Sequence, residues 1–197
     1  MNNIEHHPWK PFLPHNAKVL FLGSFPPPRV RWAMDFYYPN ITNDFWKIFG
    51  LLFGGNKEHF IIKEKKMFKE QEIKALLSKK GIALYDTATA VRRLKDNASD
   101  KFLEVVTPTD IHALLAQIPC CHTIVTTGQK ATDTLTALLG CNEPPIGSYS
   151  TATIDGREIR LWRMPSTSRA YPLAVEKKAY FYRTMLVAEG ILQPFLT

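Results

Sequence analysis

Read for apolar and polar positions, the chain resolves into short apolar runs bounded by turn residues, alternating with longer stretches at helical spacing. Residues 18–23 (KVLFLG) predict a buried strand. The prolines within 25–28 end it, because proline neither donates to a sheet nor continues a helix. Asn43 and Asp44 precede FWKIFGLLF, a helix start with an Asx cap, and Gly54-Gly55 closes that helix. Residues 57–80 alternate charged and apolar positions at helical spacing, with Phe60, Ile61, Phe68, Ile73 and Leu76 as core contacts. Residues 81–85 (GIALY) predict a second buried strand. After a polar connection, 109–118 reads as a helix opened by Thr109, 122–127 (HTIVTT) as a third strand, and 129–139, behind Gly128, as a helix. Residues 151–154 and 158–163 flank Asp155-Gly156, a hairpin signal. A last amphipathic helix spans roughly 173–189.

Strands alternating with helices predict an α/β fold: a three-layer α/β/α sandwich around a central, mainly parallel four-stranded sheet. No internal repeat appears, and one domain is expected, with residues 1–16 as an N-terminal extension. In such sheets ligands bind beyond the C-terminal ends of the strands. Functional residues are therefore expected near Ser24, Asp86, Gly128 and Ser166, where the local sequence is unusual.

Charge narrows the class of partner. Of 197 residues, 25 are Lys or Arg and 18 Asp or Glu, a formal net charge of +7. That excess favours a polyanion such as nucleic acid, although an ordinary basic protein has the same balance. Cys120, Cys121 and Cys141 make an odd set with no CxxC, a poor disulfide framework and too few thiols for an iron–sulfur cluster held by cysteine alone. Reduced thiols fit a cytoplasmic protein. The N-terminus has no apolar signal core, and no run is long and apolar enough to span a bilayer. Neither a metal nor a cofactor is expected.

Four segments carry candidate chemistry. GSFPPP, from Gly23, places rigid backbone N–H groups at Ser24 and Phe25 where they can face an anionic leaving group; a plain proline-rich turn is the alternative. YYPNITNDFW, from Tyr37, sets aromatic faces (Tyr37, Tyr38, Phe45) beside the carboxamide of Asn43, the pairing that recognises a base. Against this, Phe45 and Trp46 fit a core, and Asn43 fits a helix cap. MPSTSRAY offers Met164 and Pro165 as an apolar wedge, Ser166, Thr167 and Ser168 as phosphate ligands, and Arg169 as a gap-filler or phosphate contact. A solvated loop capping the last helix accounts for it equally well. Asp86 ends the second strand, where it reads a base edge or caps the next turn. Gly128 and Lys130, at a helix start, are further phosphate candidates.

Together these motifs resemble the uracil-DNA glycosylase superfamily, over most of the chain from about Lys18 to the last helix. LGS-FP is similar to its first motif, N-x-F-W-K to the phrase that follows in mismatch-specific uracil/thymine-DNA glycosylases, and MPSTS to its second motif. Phe25 stands where the thymine/mismatch branch carries a catalytic Asn, and Met164 where another branch begins its second motif with His. The hypoxanthine-DNA glycosylase branch resembles this chain best. That resemblance implies a metal-free glycosylase that flips hypoxanthine or uracil from damaged DNA, with Asn43 as its catalytic side chain; the need for an aromatic shelf assigns that part to Phe45, with Tyr37 or Tyr38 nearby. A monomer with no obligate protein partner and no membrane is expected. An ionised Asp86 only accepts hydrogen bonds, which suits the N–H of hypoxanthine or uracil and not the bare N1 of adenine. The alternatives are a catalytically inactive nucleic-acid-binding relative of the same fold and a small-molecule nucleoside enzyme.

Overall fold

A computed structural model describes residues 3–94 and 100–194. Residues 1 and 2 of the expected extension, and 95–99 of the expected polar connection, lie outside it. In chain order the elements are β1 (Ile4–His6), β2 (Val19–Gly23), α1 (Phe45–Gly54), β3 (Ile61–Ile62), β4 (Met67–Phe68), α2 (Glu70–Lys80), β5 (Ile82–Asp86), β6 (Ala88–Arg93), β7 (Leu103–Pro108), α3 (Ile111–Gln117), β8 (Thr123–Thr127), α4 (Gln129–Leu139), β9 (Ser148–Ile154), β10 (Arg157–Met164) and α5 (Val175–Ala188).

The central sheet has the order β5-β2-β8-β10-β9. The first four strands are parallel and β9 joins antiparallel, so the sheet has five strands where four were expected. The extra strand is the first arm of the hairpin, which is longer than its apolar pattern suggested. At its tip Asp155 and Gly156 both take positive φ, 51° and 76°, matching the twist of the flanking strands. β2, β5 and β8 are buried at every position, the signature of a sheet covered on both faces.

Side-chain direction assigns the layers. Phe21 of β2 meets the rings of Phe45 and Phe49 of α1 and Tyr182 of α5 at 5.6–6.3 Å, so α1 and α5 cover its face. Thr126 of β8 pairs in register with Leu22, the neighbour of Phe21, and so points the other way. It bonds Thr132 of α4 at 2.8 Å, which puts α4 on the opposite face. The expected α/β layering is present.

Three local expectations change. Residues 57–80 do not form one helical stretch: β3 and β4 make a small hairpin with Lys66 at φ 50°, and only α2 is helical. Phe60, Phe68 and Ile73 are buried, Ile61 and Leu76 are half-buried against the core, and Leu77, which the spacing did not single out, is fully buried. The connection after β5 carries β6 and β7, which with β1 build a second antiparallel sheet of order β1-β6-β7. Helix α3 is capped by Asp110, whose carboxylate accepts from Ala113 N at 2.9 Å, not by Thr109.

The N-terminal segment is part of the fold. Besides the β1–β6 pairing, Phe12 exchanges two backbone hydrogen bonds with Leu84 at 2.9 and 3.0 Å, covering the edge of β5. Among the described residues no helix is long and apolar enough to cross a membrane.

Candidate functional site

Because β2, β5, β8 and β10 run parallel, their last residues, Gly23, Asp86, Thr127 and Met164, stand along one edge of the sheet. A cleft of about 1230 Å³ opens there, and all four residues line it.

The loop after β2 is clamped from two sides. Arg93 donates to the Pro26 carbonyl at 2.6 Å, and the Trp32 indole donates to the Pro27 carbonyl at 2.8 Å. Ser24 and Phe25 border the cleft, and the Phe25 ring leans on His7 at 5.5 Å. Gly23 is required by close approach: a Cβ there would lie 2.4 Å from Asp86 Oδ1 and 3.3 Å from the Tyr38 hydroxyl.

Asn43 lines the cleft and, one residue before the Asp44 N-cap, closes an Asx turn onto the first residue of α1. Its Oδ1 accepts from the Phe45 N–H at 2.9 Å, which fixes the amide so that Nδ2 remains available as a donor. Both sequence readings of Asn43, cap and cleft residue, are therefore compatible. Phe45 does not line the cleft. It is fully buried, so the shelf assigned to it is corrected: Tyr38 lies over it at 3.8 Å with the planes 5° apart, and Tyr38 borders the opening. Tyr38 holds φ 51°, a costly conformation for a side-chain-bearing residue, and its hydroxyl bonds Thr127 at 2.8 Å. Desolvation, then the Asp86 carboxylate, hold the Tyr38 phenol well above its usual range, so it stays neutral. Tyr37 is also buried away from the cleft, its hydroxyl donating to the Lys10 carbonyl at 2.8 Å. The physical reason is common to both corrections: these rings are large apolar surfaces beside β2, and burial outcompetes exposure.

Residues 164–169 form the facing wall. Met164 is only 1% exposed and Pro165 is buried, so neither stands out as a wedge, contrary to the sequence reading. Ser166, Thr167, Ser168 and Arg169 line the cleft, as do Gly128 and Lys130. A Cβ on Gly128 would touch the Ser166 hydroxyl at 3.3 Å, at a φ of 120° that favours glycine.

The two walls are locked together by groups that no motif announced. Asp44 N–H donates to the Thr167 carbonyl at 2.8 Å. Lys178 of α5, with no exposed side-chain surface, donates to Asp44 Oδ2 and to the Ser168 carbonyl, both at 2.8 Å. The clue in the sequence was a lysine within the stripe that also carries Tyr182 and Met185. A second unannounced group is Asp100, which lines the cleft and whose carboxyl is raised by desolvation against a lowering hydrogen bond from Ser24. His7 and Trp9, from the presumed extension, reach Asp86 and the cleft respectively. On the rim, Arg31, Lys101, Lys130 and Arg169 are not ion-paired among the described residues, whereas Arg163 is bound by Glu143.

No protein-family model matches the chain, and no curated protein matches it. A solved structure does. The solution NMR structure of a "putative Uracil DNA glycosylase" from Methanosarcina acetivorans aligns with a TM-score of 0.59 and 24% identity, over 93% of this chain and 99% of that one. The two proteins share a fold.

Proposed function

We propose that the protein is a DNA glycosylase that flips a deaminated base, hypoxanthine or uracil, into this cleft and hydrolyses its N-glycosidic bond. The observation that carries the reading is convergence. Ser24 and Phe25, Tyr38, Asn43 and Asp86, spread over more than sixty positions of sequence, line one cleft opposite a hydroxyl-bearing loop. The cleft exceeds the roughly 300–1,000 Å³ of ordinary small-molecule pockets, as a groove for a polymer should. Four rim cations, Arg31, Lys101, Lys130 and Arg169, which form no ion pair among the described residues, suit phosphates.

Glycosidic cleavage of this kind develops positive charge on the sugar and negative charge on the departing base. In the proposed mechanism Tyr38, backed by Phe45, stacks on the flipped base. The backbone N–H groups at Ser24 and Phe25 face the leaving base, and Asn43 Nδ2 donates to it or holds the attacking water. Asp86 accepts from the base N–H. Ser166, Thr167, Ser168, Arg169 and Lys130 hold the phosphates, and a protein working on DNA repair in the cytoplasm as a monomer fits these parts. Hypoxanthine is the base implied by the resemblance to the hypoxanthine-DNA glycosylase branch.

A non-catalytic DNA-binding relative is the second reading, favoured by the apolar, buried Met164 where a polar catalytic group would otherwise stand. Incubation with deoxyinosine- and deoxyuridine-containing oligonucleotides, then alkali, separates the two. Strand breaks that disappear in Asn43→Ala support the enzyme. Retarded DNA without breaks supports the binder. Four phosphate contacts should give a slope of log K against log salt near about −3.6 on duplex DNA, and a salt-independent affinity would exclude both.

A further inference from the structure

His7 lies outside every motif of the sequence, yet it is the direct partner of the residue assigned to read the base. Its side chain is 2% exposed and that of Asp86 8%. The ring is boxed by Tyr85 at 4.7 Å, Phe25 at 5.5 Å and Tyr37 at 5.9 Å, and its backbone N–H is tied to the Thr89 carbonyl at 2.8 Å. Nε2 stands 2.9 Å from Asp86 Oδ2. An ionised carboxylate only accepts, so Nε2 carries the hydrogen and donates it.

The other ring nitrogen is held unusually well. Nδ1 lies 2.9 Å from the Trp9 carbonyl oxygen and 3.2 Å from the Trp9 amide nitrogen. These two backbone groups of Trp9 hold the Nδ1 end of the ring in place.

With Oδ2 engaged from behind, Asp86 has one oxygen left. That oxygen, Oδ1, overlies Gly23, which has no side chain to displace it. We infer that His7 is a positioning residue for base selection: it fixes the Asp86 carboxylate with Oδ1 as the single acceptor at the cleft wall, so that the site prefers a base presenting a ring N–H. This rests on the glycosylase reading, which supplies the base. Hypoxanthine and uracil carry that N–H; 1-methylhypoxanthine does not.

Two substitutions separate the two ends of the ring. His7→Asn keeps an amide near the Nδ1 position, within reach of Trp9, and abandons Asp86. His7→Gln extends a donor to the Nε2 position and restores the Asp86 bond. Three quantities are measured for each: the single-turnover excision rate on deoxyinosine DNA, the affinity for DNA with a tetrahydrofuran abasic analogue, and the ratio of affinities for hypoxanthine and 1-methylhypoxanthine DNA. A misplacement of about 1 Å at a reacting centre costs on the order of 100-fold, so His7→Asn should lower the rate by about that factor. Its abasic-DNA affinity should be unchanged, its preference for hypoxanthine over the methylated base lost, and both rate and preference largely regained in His7→Gln. If the wild type cleaves nothing, the glycosylase reading fails, and the binding ratio alone decides the role of His7. A His7→Asn protein that keeps the wild-type preference overturns the inference, and so does a fall in abasic-DNA affinity equal to the fall in rate, or a wild type indifferent to the N-methyl group.

Discussion

Replacing Lys178 with Met tests what joins the two walls of the cleft. The lysine side chain has no solvent exposure and makes two bonds of 2.8 Å, one to Asp44 Oδ2 and one to the Ser168 carbonyl. Removing one member of a buried ion pair costs about 3–5 kcal/mol, because the remaining charge is left without compensation. Asp44 keeps a second cation, Lys47, at 3.2 Å, whose side chain is 24% exposed. That places the expected loss near the low end, about 3 kcal/mol. For a chain of this size each kcal/mol shifts the melting temperature by about 2–4 °C, so a drop of about 6–12 °C is expected. Urea denaturation followed by far-UV circular dichroism should give a lower midpoint with an unchanged slope. The double variant Asp44→Leu with Lys178→Met removes the stranded charge and should recover most of the loss, short of about 1 kcal/mol for the Ser168 carbonyl, which sits on an exposed residue and loses its lysine donor. DNA affinity should fall in Lys178→Met alone, because residues 166–169 lose their attachment to the Asn43–Asp44 turn. A Lys178→Met protein within 1 kcal/mol of wild type, or a double variant no more stable than the single, would refute this account.

Gly23→Ala should abolish excision while leaving the protein folded, because its Cβ would strike Asp86 Oδ1 at 2.4 Å, and a carboxylate can rotate where backbone cannot; a crystal structure with Asp86 unmoved would contradict this. The thiols should react in a fixed order. Burial pushes the Cys121 thiol up to about 11, so at pH 8 a maleimide should label exposed Cys120 and spare Cys121 until the protein is unfolded in urea. The same shift has a stability consequence: what the protonated Cys121 thiol contributes is whole below the ordinary thiol value of 9.0 and is lost as pH rises through about 11. Cys121→Ala should therefore flatten the alkaline decline of stability between those values, as read by thermal melts across pH.

The sequence by itself determined the layered α/β plan, since runs such as VLFLG and TIVTT carry no charged residue and no polar-apolar alternation, as strands of a doubly covered sheet do. It also located the ends of β2, β5, β8 and β10, because Gly23, Asp86, Gly128 and the proline after Met164 stop the pattern in plain view. Periodicity could not separate a hairpin from a helix in residues 57–80, where the charged residues are lysine and glutamate on exposed surface in either form. Nor could it say which of several adjacent aromatics meets solvent. Tyr38, not Phe45, borders the cleft because a positive φ turns it outward and a stacked ring beneath it takes the buried place. The pairs His7–Asp86 and Asp44–Lys178 join residues 79 and 134 positions apart, and their hydrogen bonds exist only once the sheet and α5 bring them within 2.9 Å. Local patterns encode which face of an element is apolar. Which distant polar groups must neutralise one another inside the fold is decided by tertiary packing, because the cost of burying a charge arises only after water has been excluded.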